Sequence, residues 1–441
     1  MANSAEFISC GSWRSSRLCA FLGGTLCVLA LLMAGPARAD VIDDLVKKNE
    51  ALEQMVLELM QEMQNLKQQV QDVATEAKEA KAAAAAAPLP PKVARSGKEN
   101  VELAISGQVN RGVLYAHDGG DGEFFHVDND NSSTRFRLIG KARFDEEFSV
   151  GTQIEVQLES NSSANVSQLS DRSVDGNDFL SQRLLELYLD SETAGRLWLG
   201  QGKTASDGTA EVDLSSTTVI GSSDIQDLAG GILFRQTDAG VGVTPVSPAS
   251  PAIGDVFDNL DGLSRDDRLR YDTPKLYGFQ LSSSAIADGR YDAALRYSRK
   301  IADVKLASAF AFANQTDDSN IVDGSISAVH TPTGISLTYA QGSRWDHTNS
   351  ARNTRTFLYT KLGWQWPIFP FGKTAISGDY YAGTDIGENG DFSQAWGLQL
   401  VQNIDKIATE LYLGYRNHAY DEDDRNFDDI DAVLTGVRIK F

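Results

Sequence analysis

From Val101 to the last residue, Phe441, apolar and polar side chains alternate in segment after segment, with glycine-, aspartate- and asparagine-rich turns between them. In TQIEVQLES, for example, Ile154, Val156 and Leu158 share one face. Successive side chains of a β-strand point to opposite faces, so a period of two predicts strands. No helical stripe interrupts the pattern. We therefore predict an all-β domain over residues 101–441.

Two all-β architectures produce this alternation. A soluble sandwich buries its apolar faces in a dry core, whereas a transmembrane barrel turns them to lipid and lines a wet lumen with polar faces. The polar faces here carry Glu, Gln and Arg along neighbouring strands, which is too costly for a dry interior. Tight turns such as TPTG alternate with long polar loops. The pattern favours an antiparallel transmembrane β-barrel of about sixteen strands.

The first 39 residues have the pattern of a secretory signal peptide. Arg14 and Arg17 precede the apolar stretch LCAFLGGTLCVLALLMAG, and ARA supplies a cleavage site before Asp40. An uncleaved membrane anchor is the alternative for this segment. The three cysteines all lie in it: Cys10, Cys19 and Cys27. We therefore expect a mature chain without disulfides, cysteine-ligated metals or iron–sulfur clusters, and we predict no cofactor.

Residues 40–87 read as a heptad helix, which predicts a parallel coiled coil. Its seam contains no proline or glycine, and its core positions include Leu45, Leu52, Val56, Leu59, Met63, Leu66 and Val70. The alternative is an amphipathic helix lying on its own domain. Residues 88–100 form a linker in which Pro88, Pro90 and Pro91 end the helix. A helix of this length would form a stalk separate from the barrel.

The charge balance excludes one broad class of partner. The chain carries 61 acidic against 40 basic residues, a net charge of −21. A nucleic-acid-binding protein should present a basic face, so we expect no nucleic-acid partner. We also predict no metal site, because paired histidines such as His117 and His126 lie in a loop without a fixed scaffold.

Four stretches resemble the general porins of Gram-negative bacteria. SGQVNRGVLYAHDG is similar to that family's first strand, and STRFRLIGKARFDEEFSVGTQIEVQLE to its second and third. GRLWLGQGKTASDG resembles the strand that enters the constriction loop, and DDRLRYDTPKLYGFQLS the strand pair that follows it. Their order, together with the terminal phenylalanine, makes the resemblance specific over residues 101–441.

The resemblance implies a homotrimer of sixteen-stranded barrels in the outer membrane, each a water-filled pore, with the N-terminal segment in the periplasm. The long connection at about residues 204–265 is expected to fold inward and narrow the pore. The terminal residues resemble those that close the barrel and are read by the barrel-assembly machinery: Gly436, Ile439 and Phe441. Lipid and lipopolysaccharide are the implied partners. The coiled coil would strengthen trimerisation or reach the peptidoglycan.

A pore needs charged groups at its narrowest point rather than a catalyst. We predict a basic pore-lining wall made of Arg135, Arg137, Lys141, Arg143, Arg268, Arg270 and Arg296. The opposing acids would come from the long loop: Asp213, Asp224, Asp227, Asp255, Asp258 and Asp261. For any single residue, the alternative is a solvated position away from the constriction, or a pair with Glu155 or Glu159.

The function predicted from these features is passive diffusion of ions and small hydrophilic solutes. A substrate-specific channel, for example for oxyanions, stays open because the second strand is a basic ladder. A barrel hydrolase would need a Ser/His pair on adjacent strands, and none of the five histidines has such a setting, so we predict no enzymatic activity. A surface adhesin or coiled-coil structural protein would conduct no ions, and an electron-conduit barrel would need partner cytochromes.

Overall fold

The computed structural model describes residues 93–95, 101–172, 180–238, 244–316, 319–349 and 351–441, together with Gln54 and Gln61. The chain divides into two compact units, Met1–Ala87 and Pro88–Phe441, and the second carries all the described strands. The predicted signal peptide (1–39) and coiled coil (40–87) lie outside the described residues, except for the two single glutamines.

The Pro88–Phe441 unit is built on one antiparallel sheet. Its strands are β1 (Val93–Arg95), β2 (Val101–His117), β3 (Gly122–Asp128), β4 (Arg135–Arg143), β5 (Phe148–Leu158), β6 (Leu180–Ser191), β7 (Gly195–Lys203), β8 (Arg265–Asp272), β9 (Phe279–Ile286), β10 (Tyr291–Ile301), β11 (Val304–Thr316), β12 (Ser319–His330), β13 (Ile335–Asp346), β14 (Arg355–Phe369), β15 (Gly372–Thr384), β16 (Phe392–Ile404), β17 (Thr409–Asp421) and β18 (Ile430–Lys440).

These strands occupy sixteen positions around a closed barrel. β3 and β4 both pair with β2, one with its second half and the other with its first, so they form one position that is interrupted at residues 129–134. β1 pairs with β2 beyond the point where β18 ends and continues the β18 position. The ring closes because β2 pairs with both β4 and β18. The predicted barrel of about sixteen strands is confirmed, whereas the predicted linker at 88–100 contains the strand β1.

The two ends of the barrel differ in their connections. The tight-turn rim carries turns of a few residues, such as 144–147, 302–303 and 331–334, and the chain leaves the barrel there after β18. The loop rim carries the longer connections, including 159–179 and 422–429. The longest of them, residues 204–264 between β7 and β8, is called the long loop below.

Side chains alternate between the outer surface and the lumen. On β6, Leu185, Leu187 and Leu189 are 50%, 58% and 45% exposed, while Glu186 and Tyr188 between them are buried. Half-exposed leucines continue onto β7 and β9. A contiguous apolar band of this kind is stable in hydrocarbon rather than in water. The polar side chains therefore face the inside of the barrel.

The last residue seals the sheet. The backbone N–H of Gly107 donates to the carbonyl of Phe441 over 2.9 Å, and the N–H of Phe441 donates back over 3.0 Å. The ring of Phe441 covers Gly107, where an added Cβ would come within 2.6 Å of it. Gly436 leaves room in the same way for the hydroxyl of Tyr412. These contacts explain why positions 107 and 436 are glycines.

The long loop folds into the barrel and packs against its inner wall. Its buried apolar side chains, among them Ile225, Phe234 and Phe257, join inward-facing wall residues such as Leu114 and Tyr420 in one cluster. The loop contains one turn of α-helix, α1 (Ile253–Val256). No helix in the described part of the chain is long and apolar enough to cross a membrane. The loop thus packs inside the barrel against inward-facing side chains of β2, β3 and β11–β18.

Candidate pore constriction

The first limb of the long loop, residues 205–221, crosses the lumen along the inner wall. Backbone N–H groups of this limb donate to inward-facing wall side chains: Ala205 to Ser284, Ser206 to Asp292, Val212 to Ser325 and Leu214 to Ser327, over 2.7 to 2.9 Å. Further on, Asn129 donates to the carbonyl of Val219 over 2.7 Å. These contacts run from β9 to the break between β3 and β4, so the loop spans the barrel.

Three predicted wall cations anchor the start of this loop. Arg268 donates to the carbonyl of Lys203 over 2.9 Å, and Arg270 to that of Thr204 over 2.8 Å. Arg296 donates to the carbonyls of Ala205 and Asp207 over 2.6 and 2.8 Å. Carbonyl oxygens that leave the sheet ladder need donors, and these guanidinium groups supply them. Arg268 was predicted to line the pore. It is instead 4% exposed and is also paired with Glu186.

A buried lysine holds the middle of the first limb. The Nζ of Lys361, on β14, donates to Asp213 Oδ2 and to the carbonyl of Gly221, each over 2.8 Å. Burial raises the pKa of Asp213, but the ammonium group of Lys361 outweighs it and holds that pKa below its usual value. Asp213 was predicted to be a constriction acid. It is instead a buried, paired anchor, because the loop turns it towards the wall.

Three further predicted acids bind the backbone of the loop itself. Asp261 accepts from the N–H groups of Gly208 and Ala210 over 2.6 and 2.8 Å and so joins the two limbs. Asp255 accepts from Ala252 at the start of α1, and Asp258 from Leu260. Their carboxyl groups therefore shape the loop.

Asp224 and Asp227 are the predicted acids that remain for the constriction. Burial, together with the carboxylates of Glu211 and Asp258, raises the pKa of Asp224 to about 8. Burial and the neighbouring Asp224 likewise raise the pKa of Asp227. Glu211, an exposed residue of the same loop, was not among the predicted acids. Its only sequence signal is its place in the long loop, which it shares with the aspartates.

The opposite wall carries a cluster of guanidinium groups. Arg137 donates to Glu155 Oε2 over 2.6 Å, and Arg183 donates to Glu155 Oε1 over 2.8 Å. Arg135 approaches the same carboxylate at 3.6 Å and donates to Ser132 Oγ over 2.9 Å. One carboxylate thus serves three cations, so the wall keeps an excess of positive charge.

Arg183 reaches this cluster because of a β-bulge. The β5–β6 register shifts between Glu155 and Val156, and Arg183 is the residue left without a partner on the ladder. A bulge re-aims a side chain, and here it turns Arg183 into the lumen. The period of two would place Arg183 outside with Leu185, and no sequence signal marks the bulge.

The remaining predicted cations, Lys141 and Arg143, lie nearer the tight-turn rim on the lumen face of β4. Arg438 and Lys440 of β18, which both pair with Glu410, lie at the same end. Within the described ranges, no group of three or more His, Cys, Asp or Glu side chains is placed to hold a metal ion. Cations on the wall and acids on the long loop are the charged groups of this candidate site.

The sequence profile of Gram-negative porins matches residues 74–424. The chain belongs to the Gram-negative porin family. This porin is accordingly an outer-membrane channel, and the barrel is its membrane-spanning part. No curated protein sequence matches it.

Solved porins share the fold of this porin at low sequence identity. The anion-selective porin from Comamonas acidovorans is 16% identical, with a TM-score of 0.52 over 77% of this chain and all of that one. OmpT of Vibrio cholerae is 11% identical, with a TM-score of 0.53 over 79% of this chain and all of that one. Salmonella typhi OmpF is 13% identical, with a TM-score of 0.50 over 78% and 98% of the two chains.

Proposed function

We propose that this porin is a passive diffusion channel for ions and small hydrophilic solutes, with a constriction that separates charge across its width. The supporting observation is that three guanidinium groups gather around the single carboxylate of Glu155 on the wall, while the long loop inside the barrel carries Glu211, Asp224 and Asp227. Charges on opposite sides of a narrow aqueous gap orient dipolar solutes and discriminate by charge.

Single-channel recording of the purified mature protein in planar bilayers tests this proposal. We expect stepwise openings whose conductance rises with KCl concentration, and a measurable reversal potential in a KCl gradient. Folded protein that inserts into the bilayer and stays electrically silent would rule out a diffusion channel.

We further propose that three copies associate in the membrane. OmpT of Vibrio cholerae, which has a similar fold, has been solved in a trimer form. Chemical cross-linking in outer-membrane vesicles should give a ladder that ends at three subunits. A ladder that ends at one subunit would contradict this.

A substrate-specific oxyanion channel is the second candidate, favoured by the three guanidinium groups that share Glu155. Planar guanidinium groups bind oxyanions through paired hydrogen bonds. Sulfate currents that saturate while chloride currents do not would favour this candidate. Sulfate and chloride currents that both rise with concentration without saturating would favour general diffusion.

Contacts outside the pore complete the proposal. We propose that the apolar band contacts lipid, that the loop rim contacts lipopolysaccharide, and that Gly436, Ile439 and Phe441 are read by the assembly machinery. The predicted coiled coil would lie in the periplasm, where it would support the trimer or reach the peptidoglycan. Deletion of residues 40–87 should then leave the single-channel conductance unchanged and alter trimer stability or cell-wall attachment.

A further inference from the structure

Part of the long loop turns back towards the loop rim as a hairpin, called the arm below, made of residues 230–238 and 244–254. Its two sides lie antiparallel, and the N–H of Phe234 donates to the carbonyl of Pro251 over 2.9 Å. The base of the arm is apolar. Phe234 is 0% exposed and packs against Tyr420 and Phe427, with ring centroids 5.6 and 6.1 Å apart. Burial therefore holds the base of the arm in place.

One arginine ties the arm to the loop-rim connection between β2 and β3. The Nε and Nη2 atoms of Arg235 donate to the two carboxylate oxygens of Asp118 over 3.0 and 3.1 Å, and Nη2 also donates to Asp121 over 2.8 Å. Gly120 leaves room for this contact, because an added Cβ would lie 2.4 Å from the guanidinium carbon. A fork that grips both carboxylate oxygens fixes direction as well as distance.

Two more connections of the loop rim meet at the same place. Gln168, between β5 and β6, donates to Asp118 over 3.2 Å and to the carbonyl of Leu233 over 2.8 Å, and it accepts from the N–H of Leu233. Between β17 and β18, the N–H of Asp428 donates to the carbonyl of Arg235 over 2.9 Å. Three connections that lie far apart in the chain are thus joined through the arm.

The junction depends on a single cation. The carboxylate of Asp118 is 2% exposed, and Arg235 is the basic residue that pairs with it. Its other hydrogen-bond donors in the described part of the chain are neutral, namely the N–H groups of Gly120 and Asp121 and the amide of Gln168. Removing the cation from a buried carboxylate is strongly destabilising. The polar part of the arm therefore depends on one guanidinium group for its place at the rim.

We propose that Arg235 is a positioning residue that, through Asp118, holds the arm against the loop-rim connections and keeps that mouth of the channel open. This rests on the proposed function, because it needs a conducting pore. The arm follows directly on the stretch of the long loop that carries Asp224 and Asp227. Without the ion pair, residues 235–238 detach while the buried base stays in place, and the freed stretch obstructs the lumen for short periods.

Single-channel recording of Arg235→Gln in KCl tests the proposal. We expect brief closures whose ratio of closed to open time rises roughly 10- to 100-fold, as the loss of hydrogen bonds to a charged group implies, while the fully open current stays unchanged. Arg235→Lys keeps the charge but loses the fork, so it should lie between Arg235→Gln and the wild-type channel. Arg290→Gln is the matched control, since this arginine of the β9–β10 connection pairs with Asp266 rather than with the arm.

A reversible cross-link separates the position of the arm from its charge. The N–H of Thr237 donates to the carbonyl of Asn426 over 2.9 Å, next to an antiparallel bridge. Facing residues of antiparallel segments are close enough for a disulfide, and the sequence has no cysteine beyond Cys27. In the Arg235→Gln background, Thr237→Cys with Asn426→Cys should abolish the closures when oxidised, and reduction should bring them back.

An Arg235→Gln channel without extra closures would refute the positioning role while leaving the diffusion channel intact. Closures as frequent in Arg290→Gln, or closures that persist when the cross-link is oxidised, would refute it too, because the effect would then not come from the position of the arm. A cross-link that does not form in the otherwise wild-type chain would refute the contact between the arm and the β17–β18 connection, and the proposal with it. Wild-type protein that forms no channel in KCl would refute the proposed function itself.

Discussion

Replacing Lys361 with methionine should release the long loop while the barrel stays folded. Lys361 is buried between β14 and the loop, and its ammonium group is the partner of Asp213 and of the Gly221 carbonyl. Methionine keeps the length of the side chain and removes the charge. The Asp213 carboxylate would then remain buried without a cation.

The cost of that change is comparable to the strength of the loop's attachment. Breaking a buried ion pair from one side costs about 3–5 kcal/mol. Four of the hydrogen bonds that hold the adjacent stretch of loop are those of Val212 with Ser325, of Leu214 with Ser327 and with Gln365, and of Thr217 with Ser377. At about 1 kcal/mol each, they contribute about 4 kcal/mol. In Lys361→Met, the free-energy cost of detaching this stretch so that Asp213 reaches water is therefore similar to the cost of keeping Asp213 buried without a cation.

Single-channel recording should show the detachment as excess open-channel noise and a higher mean conductance in Lys361→Met. The double variant Lys361→Met/Asp213→Leu should return to the quiet wild-type trace, because replacing both partners of a buried pair with apolar groups is close to neutral. Lys406→Met, in the β16–β17 turn, is the matched control. A quiet Lys361→Met channel, or a double variant as noisy as the single one, would refute this account of the loop.

Three further outcomes follow from the same geometry. Arg183→Gln should raise the cation preference of the channel, and Glu211→Gln should raise its anion preference. In a KCl gradient the two variants should therefore shift the reversal potential in opposite directions. Shifts in the same direction would contradict a constriction with cations on one side and acids on the other. Gly107→Val should lower the yield of folded barrel, because its side chain would meet the terminal phenylalanine ring; heat-modifiable mobility on gels measures that yield, and a wild-type yield would count against the seal. Burial and neighbouring carboxylates raise the pKa of Asp224 to about 8 and, with Asp130, that of Glu159 to about 7. These acids are charged above those values, so the cation preference should fall as the pH drops through 8 and then 7; a reversal potential constant over that range would exclude their role.

Local sequence was sufficient to predict the barrel. The period of two in segments such as TQIEVQLES assigns each side chain to one face whatever the neighbouring strands are. A lipid-facing sheet must then close, because an open edge would leave backbone groups unpaired in hydrocarbon. The length of the 204–264 connection was likewise enough to predict a functional loop, since long ordered loops in compact domains usually have a function; its inward fold was implied by the resemblance to the porins.

Contacts between distant residues could not be predicted from local sequence. Arg268 has the same alternation signal as Arg137, yet it is buried against Glu186 and the loop carbonyls, while Arg137 pairs with Glu155 on the wall. Arg183 enters the lumen through one extra residue in the β5–β6 register. Asp213, unlike Asp224, meets the ammonium group of Lys361.

The sequence by itself therefore determined which face a strand residue takes wherever the ladder is regular, because that face then depends only on the residue's place in its own strand. The tertiary structure decided which charges remain available to the pore. That outcome depends on where a sixty-residue loop touches strands more than a hundred residues away, as Lys361 and Asp213 do across 148 positions. Such a meeting is set by register and packing over the whole barrel, and no short stretch of the chain encodes it.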